Sequence, residues 1–238
     1  YTRLMAYQLA FLLRLHTGVD PDSVLAPLEE MEQLAIYCSQ ARPFAGSLRI
    51  RYDIERFGKD ALMLQRAFAT AEQNGLGMIN VLEGTDCSYP VPFEKNMRLS
   101  QQLNLVRLYL AASGHRVNRG YGPPLADIAD HVDHLLETAG QQGFGELETE
   151  ALILSAMVRH GQGKSAPAFE RMKKALFQGH RQGYQRMFVN EGLSMVPLLE
   201  DCIGAGVCVD YANGLLKQVA SGSGGAERMP AGFEKILR

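Results

Sequence analysis

The chain has 238 residues, of which 46% are hydrophobic and 21% are charged, and its formal net charge is -2. This composition excludes a disordered chain, because enough apolar residues are present to form a sizeable core, and the charge argues against a chain devoted to nucleic acid. No apolar run approaches the roughly 20 residues that cross a bilayer, and no signal peptide is recognisable, so we expect a soluble, cytoplasmic protein without a membrane partner.

The N-terminal third shows helical patterns separated by predicted breakers. Residues 1–17 place apolar groups at helical period, and a second helix is predicted to begin with Pro21 in its first turn. The segment ARPFAG is predicted to interrupt the helical structure. A short helix is expected over 47–57, and after the interruption at Gly58 another helix is expected in KDALMLQRAFATAEQNG.

The middle of the chain begins with an irregular connection, predicted over about 76–95 because glycines and prolines interrupt the helical period there. A long helix is then expected over 96–113, and Pro123 and Pro124 are placed to begin another one. The predicted apolar face of that helix consists of Leu125, Ile128, Val132, Leu135, Leu136 and Ala139.

A helical hairpin is predicted from Leu147 to Gly183. Its first helix should stop at Gly161 and Gly163, and its second should open at Ser165. The residues expected to be buried by the second helix are Ala168, Phe169, Met172, Ala175 and Leu176. The glycine, the two alanines and the methionine of this hairpin have the spacing of a tetratricopeptide (TPR) repeat, although the intervals between hairpin glycines are longer than its standard period of about 34 residues.

One such hairpin cannot bury its own apolar faces, so it needs neighbours stacked on it. We therefore predict an all-α fold in which TPR-like antiparallel hairpins stack into a right-handed superhelix over residues 1–219. Ser194 is expected to cap a helix through Leu199, and another helix is expected over about 210–219. Residues 220–238 are typical of a flexible linker. The amphipathic pattern starts at Tyr1 without a cap, which indicates a piece of a longer chain.

Two groups of polar residues raise the question of a metal site. The four cysteines, Cys38, Cys87, Cys202 and Cys208, contain no CxxC pair, so reduced thiols are expected. Asp127, Asp130, His131 and His134 would share one side of a helix and form a weak candidate metal site. Exposed carboxylate and imidazole pairs explain the same spacing, and we expect no metal.

The inner helices of a stacked superhelix line a concave groove, which is the usual place for a ligand. The predicted groove residues are Gln101, Asn104 and Leu108 in one hairpin and Glu150, Ile153, Met157 and His160 in the next. Packing between repeats explains the apolar members equally well. No arrangement of a nucleophile with a base, or of paired carboxylates, is readable at local spacing, so we do not expect an enzyme.

Residues 151–190 carry seven Lys and Arg residues but only one acidic residue, Glu170. A solvated helix face is the ordinary explanation of such a segment. The alternative is a surface that binds an anion or an acidic partner.

The order of these pieces resembles the helical sensor region of the large LuxR-type transcriptional regulators related to MalT. A YPVPF segment precedes a leucine-rich helix, then LLETAGQQG, then the hairpin around Gly163, and finally GYQRMFVNEGLSMVPLL. The resemblance covers residues 76–218 well and 1–75 weakly. The residues of the last run that carry it are Tyr184, Arg186, Phe188, Glu191, Gly192, Met195, Leu198 and Leu199.

The resemblance implies a signal-sensing domain that binds a small-molecule inducer or a regulatory protein, with self-association as a further expectation. In that family an N-terminal module binds ATP and a C-terminal helix-turn-helix binds DNA. This chain has no GxxxxGK[ST] loop, so both activities are expected only in modules outside it. The alternative reading is a helical scaffold that binds a peptide or protein and has no role in transcription.

Overall fold

The computed structural model describes residues 7, 10, 11, 21–37, 41–57, 60–78, 91–113 and 122–222. Within these residues the chain forms ten helices and no strand, so the predicted all-α class is confirmed. None of the described helices combines the length and the apolar character needed to cross a lipid bilayer. The chain divides into two compact units, residues 1–122 and 123–238.

The first unit contains four of these helices: α1 (Pro21–Tyr37), α2 (Ala41–Phe57), α3 (Ala61–Gln73) and α4 (Val91–Ser113). Helix α2 packs against the other three, and α3 also packs against α4. One apolar cluster joins α1 to α2 around Leu28, Phe44 and Leu48. A second cluster joins α2, α3 and α4 around Leu64 and Leu105.

The predicted break at ARPFAG is wrong, because helix α2 runs through this segment from Ala41. Pro43 lies in the first turn of the helix, where its missing N–H would have no intrahelical partner in any case. Gly46 is needed for packing, since a Cβ atom there would come within 2.7 Å of the side chain of Asn74, at the end of α3. Proline and glycine, which are typical of a helix break, therefore start helix α2 and allow the end of α3 to pack closely against it.

Helix α4 begins at Val91, five residues before the predicted start. Pro92 again lies in the first turn, where proline is tolerated. Asp60 precedes α3, and its carboxylate accepts hydrogen bonds from the backbone N–H groups of Leu62 and Met63 at 3.0 Å. Glu32 of α1 accepts two hydrogen bonds from Arg49 of α2, at 2.8 and 3.0 Å.

The second unit contains six helices and one 3-10 turn. They are α5 (Leu125–Gln142), α6 (Gly145–Gly161), α7 (Ser165–Gln182), α8 (Arg186–Val189), the 3-10 turn Gly192–Met195, α9 (Val196–Gly204) and α10 (Val209–Gly222). Helix α5 packs against α6, α6 against α7, α7 against α9, and α9 against α10. One continuous core joins residues of α6, α7, α8, α9 and α10.

The hairpin predicted from Leu147 to Gly183 is confirmed in its helices and in most of its buried residues. Helix α6 ends at Gly161, and Gly163 has the left-handed φ of 73° that favours glycine. Four of the five residues predicted to be buried in α7 are buried, and Phe169 is half-buried. In α5, Ile128, Val132, Leu135 and Ala139 are buried as predicted.

Ser194 does not cap a helix through its side chain. It lies inside the 3-10 turn, which leads directly into α9. Several predictions fall outside the described residues: most of the helix over 1–17, the centre of the irregular connection, Cys38, Cys87, and most of the linker over 220–238.

Candidate functional site

A group of polar side chains in the second unit is centred on Asp133 of α5. One carboxylate oxygen accepts hydrogen bonds from Ser155 Oγ at 2.9 Å and from Arg171 Nη2 at 3.2 Å. The other oxygen accepts a hydrogen bond from Arg159 Nη2. We call these four residues the Asp133 junction, because they join α5, α6 and α7.

The local geometry of each helix explains how the junction forms. Ser155 and Arg159 are four residues apart on α6, so they lie on the same face, one turn apart. Ser155 is fully buried, whereas the side chains of Arg159, Asp133 and Arg171 are 17%, 30% and 32% exposed. The junction therefore extends from the interior to the surface and has one carboxylate for two guanidinium groups. Its excess of one positive charge makes it able to attract an anion.

In the sequence, Arg159 and Arg171 belong to a basic segment, and no pattern singles out Asp133. In the structure these two cations are paired with that carboxylate. In the sequence, Asp133 lies between the two histidines of the weak metal candidate. Only the packing of α6 and α7 shows that its side chain faces these two helices. No local sequence signal identifies such a pairing, since its partners are 22 to 38 positions away.

The weak metal candidate lies on α5. Asp127 and Asp130 are exposed, and His131 and His134 are half-buried. Among the described residues, no three His, Cys, Asp or Glu side chains are grouped so that they could hold a metal ion. Burial, with the nearby His134, lowers the pKa of His131 to about 4, so this imidazole is neutral at physiological pH.

The predicted groove residues of the first unit lie on α4 and are buried. Gln101 is 8% exposed, and Asn104 and Leu108 are fully buried. The side-chain oxygen of Asn104 accepts a hydrogen bond from Arg107 Nη1 at 3.1 Å. Among the described residues, Asn104 Nδ2 has no hydrogen-bond partner. These positions are thus interior positions, and their role as ligand contacts stays a prediction.

The predicted groove residues of the second unit lie on α6 and differ in exposure. Glu150 and Ile153 are buried, Met157 is half-buried and His160 is exposed. Ile153 belongs to the common core of this unit, and Met157 packs against it. Packing therefore accounts for both apolar residues, and ligand contact by the four stays a prediction.

The first unit also buries a carboxylate. Asp53 on α2 is 3% exposed, and among the described residues its Oδ2 atom has no hydrogen-bond partner. Burial raises the pKa of Asp53, although Arg66 and Arg49 oppose this effect. No local pattern predicts the burial of Asp53, because charged and apolar residues alternate from Arg51 to Ile54.

The run from Tyr184 to Leu199, which carries the family resemblance, contributes mainly to the core. Phe188, Met195, Leu198 and Leu199 are buried. The Tyr184 carbonyl accepts a hydrogen bond from the hydroxyl of Tyr211 in α10. Most residues of the run are therefore explained by packing, whereas Arg186 is exposed.

The two described cysteines are free thiols. Burial raises the pKa of Cys202 to about 11, so its thiol is protonated at neutral pH and is a poor nucleophile. Burial also raises the pKa of Cys208. Neither residue offers an activated thiolate.

Comparison with known proteins assigns no family to the chain. No protein-family model matches it, and neither a curated protein nor a solved structure matches it.

Proposed function

We propose that residues 1–219 form the signal-sensing and interaction domain of a MalT-like, LuxR-type transcriptional regulator, built from TPR-like hairpins that stack into a right-handed superhelix and active in the cytoplasm. The observation that carries the proposal is the order of packing in the second unit, where α5, α6, α7, α9 and α10 each contact the next one along the chain. Stacked helical repeats have this kind of nearest-neighbour packing.

The Asp133 junction supplies a way for such a domain to respond to a signal. It joins three helices through charged groups that are partly exposed, so a solute can reach them. An anionic inducer that binds Arg159 and Arg171 competes with Asp133, and it favours an arrangement in which α5 is held less tightly. A ligand shifts a conformational equilibrium only by its difference in affinity for the two states, and this competition provides such a difference.

Thermal denaturation of the chain with a panel of anionic metabolites tests whether an anionic inducer binds to it. A ligand that binds the folded state at a hundredfold excess over its Kd adds about 2.7 kcal/mol of stability. We expect an active compound to stabilise the wild-type chain and to lose its effect in Arg171→Ala, while Lys164→Ala, at an exposed position before α7, responds normally. A panel with no active compound, or a response that is unchanged in Arg171→Ala, contradicts binding at the junction.

The transcriptional role has a separate test, which is the sequence that the gene encodes on either side of this chain. The proposal expects a phosphate-binding loop for ATP encoded upstream of residue 1 and a DNA-binding helix-turn-helix encoded downstream of residue 238. If the gene encodes neither, the second candidate replaces the first: a helical scaffold for a protein partner. The exposed cations of α7 are the observation that favours this second candidate.

A further inference from the structure

Helix α7 has an exposed aromatic side chain on the face opposite to its core contacts. Phe177 is 55% exposed, although the adjacent Leu176 is fully buried. The apolar face of α7 is already used by the core of the second unit. Phe177 does not belong to this core, and more than half of the residue is accessible to a partner.

All four helical neighbours of Phe177 are basic residues. Residues three and four positions away lie next to each other on a helix surface, and for Phe177 these are Lys173, Lys174, His180 and Arg181. Lys174, His180 and Arg181 are exposed. We call these five residues the Phe177 patch.

The charges of the patch are only partly neutralised. Lys173 contacts Glu170 at 3.6 Å and lies 5.9 Å from the ring centre of Phe169. Among the ion pairs of the described residues, none includes Lys174 or Arg181. The patch thus combines an apolar centre with a positively charged border.

We propose that the Phe177 patch binds an acidic, amphipathic segment of a partner protein, with an apolar side chain of that segment against the Phe177 ring and its carboxylates beside Lys174 and Arg181. Binding sites of this kind have an aromatic residue at the centre and polar groups at the border. The charge of the patch matches an acidic segment and repels a basic one. From residue 173 to residue 181 the patch extends about 12 Å along the helix, which suits one short contact segment.

Two other classes of macromolecule fit the patch less well. Binding of single-stranded nucleic acid uses several aromatic rings on which successive bases stack, whereas Phe177 is the one exposed large apolar residue among the described residues of α7. Insertion into a membrane surface requires a broad free apolar face, and the apolar face of α7 is in the core. The inference does not depend on the proposed transcriptional role, because it involves Phe177, Lys174 and Arg181 and none of the four residues of the Asp133 junction, and because it is tested on the isolated chain.

Fluorescence anisotropy with the full chain tests this proposal. The probe is a labelled peptide of roughly four helical turns in which leucines at helical spacing are surrounded by glutamates. We expect the wild-type chain to bind it at low salt, and we expect Phe177→Ala and the double variant Lys174→Glu/Arg181→Glu each to weaken binding by about tenfold. A peptide with glutamine in place of glutamate should bind as weakly as the labelled peptide binds the double variant.

Matched variants control for general effects of apolar area and charge. Leu62→Ala removes a side chain that is 72% exposed on α3, and Lys164→Glu reverses an exposed charge just before α7. Both should bind the peptide like the wild type. Circular dichroism and the melting temperature verify that every variant is folded. If Phe177→Ala is unstable, the double variant still tests the patch, because it changes only exposed charges.

Three results would overturn the proposal. One is that the wild-type chain does not bind the acidic peptide at any concentration at which it is soluble. Another is that the two variants of the patch bind as tightly as the wild type. The third is that oligothymidylate or phosphatidylserine vesicles bind more tightly than the peptide and lose this affinity in Phe177→Ala, which would assign the patch to nucleic acid or to membranes.

Discussion

Gly179 of α7 illustrates how a single residue without a side chain permits close packing. A Cβ atom at this position would lie 2.6 Å from the ring of Phe188 and 2.9 Å from the hydroxyl of Tyr211. The two rings pack edge to face, with centroids 6.1 Å apart, and Phe188 is fully buried. Little free space is therefore available for an added methyl group.

We predict that Gly179→Ala destabilises the protein by about 1–3 kcal/mol, because overpacking outweighs the gain in helix propensity. Urea denaturation measures the change in the free energy of unfolding. Gly214→Ala in α10 is the control, since a Cβ atom there would meet nothing within 4 Å, and it should stabilise by up to about 1 kcal/mol. Equal effects of the two substitutions would contradict the packing argument.

His131 makes the stability of the protein depend on pH. Its folded-state pKa of about 4 lies below the ordinary value of 6.5, so between these two pH values the unfolded state binds more protons than the folded state. Stability therefore falls as the pH decreases through this interval.

We expect the contribution of His131 to fall by about 2 kcal/mol between roughly pH 7 and pH 5. Urea denaturation at both pH values, for the wild type and His131→Gln, measures it: the variant should lose less stability on acidification. His160→Gln changes an exposed histidine of α6 and should lose as much stability as the wild type. If His131→Gln has the same pH dependence as the wild type, the pKa assignment is wrong.

Asp53 has a pH effect of the opposite sign. Because burial raises its pKa, the folded state holds the proton more tightly than the unfolded state, and stability is lost as the pH rises through the folded-state pKa. We expect Asp53→Asn to raise the melting temperature at neutral pH, with a smaller difference in acid. Asp130→Asn, at an exposed position of α5, should have little effect. A lower melting temperature of Asp53→Asn at neutral pH would contradict the argument.

At the scale of the helices, the Asp133 junction is a polar connection among α5, α6 and α7, alongside the hydrogen bond from Thr149 of α6 to Gln178 of α7. Removing its carboxylate leaves the fully buried Ser155 and the largely buried Arg159 without their common acceptor. We expect Asp133→Ala to lower the free energy of unfolding by about 2–4 kcal/mol. Glu170→Ala, which removes the exposed ion pair with Lys173, should cost less than about 1 kcal/mol. Chemical denaturation compares the two variants, and similar losses would show that the junction is energetically an ordinary surface pair.

The boundaries of the helices were predictable wherever a local signal acts alone. Gly161 and Gly163 mark the end of α6 as expected, because a left-handed residue suits glycine in any tertiary context. The helical conformation of ARPFAG was not predictable, because proline and glycine are compatible either with a break or with a helix in this segment. Pro43 starts a helix and Gly46 makes room for Asn74, and only the position of α3 distinguishes this arrangement from a break.

At the scale of the whole molecule, the second unit has an apolar core of its own. Eighteen buried residues from α6 to α10 form this core, and α5 packs on α6. We expect a fragment of residues 123–222 to be helical and to unfold cooperatively, as domains with their own core do. Circular dichroism during thermal denaturation tests this. A fragment without helical signal or without a cooperative transition would contradict the division into two compact units.

The predicted single domain over residues 1–219 would contain both compact units, and it stays a prediction. The all-α class and the consecutive packing of the hairpin helices followed from the apolar period and from the need of each hairpin to bury its faces. The predicted superhelix and its predicted groove would depend on the rotation accumulated from one hairpin to the next, which no local pattern encodes.

Sequence alone was sufficient for the helical class, for most helix ends and for the apolar faces of α5 and α7, since these features depend on residues within about one or two turns of each other. It did not reveal that Asp133 pairs with Arg159 and Arg171, that Gln101 and Asn104 are interior, or that Phe177 is exposed beside Leu176. Each of these depends on which helix lies against which face, and side chains that are distant in sequence meet only when the helices are packed together.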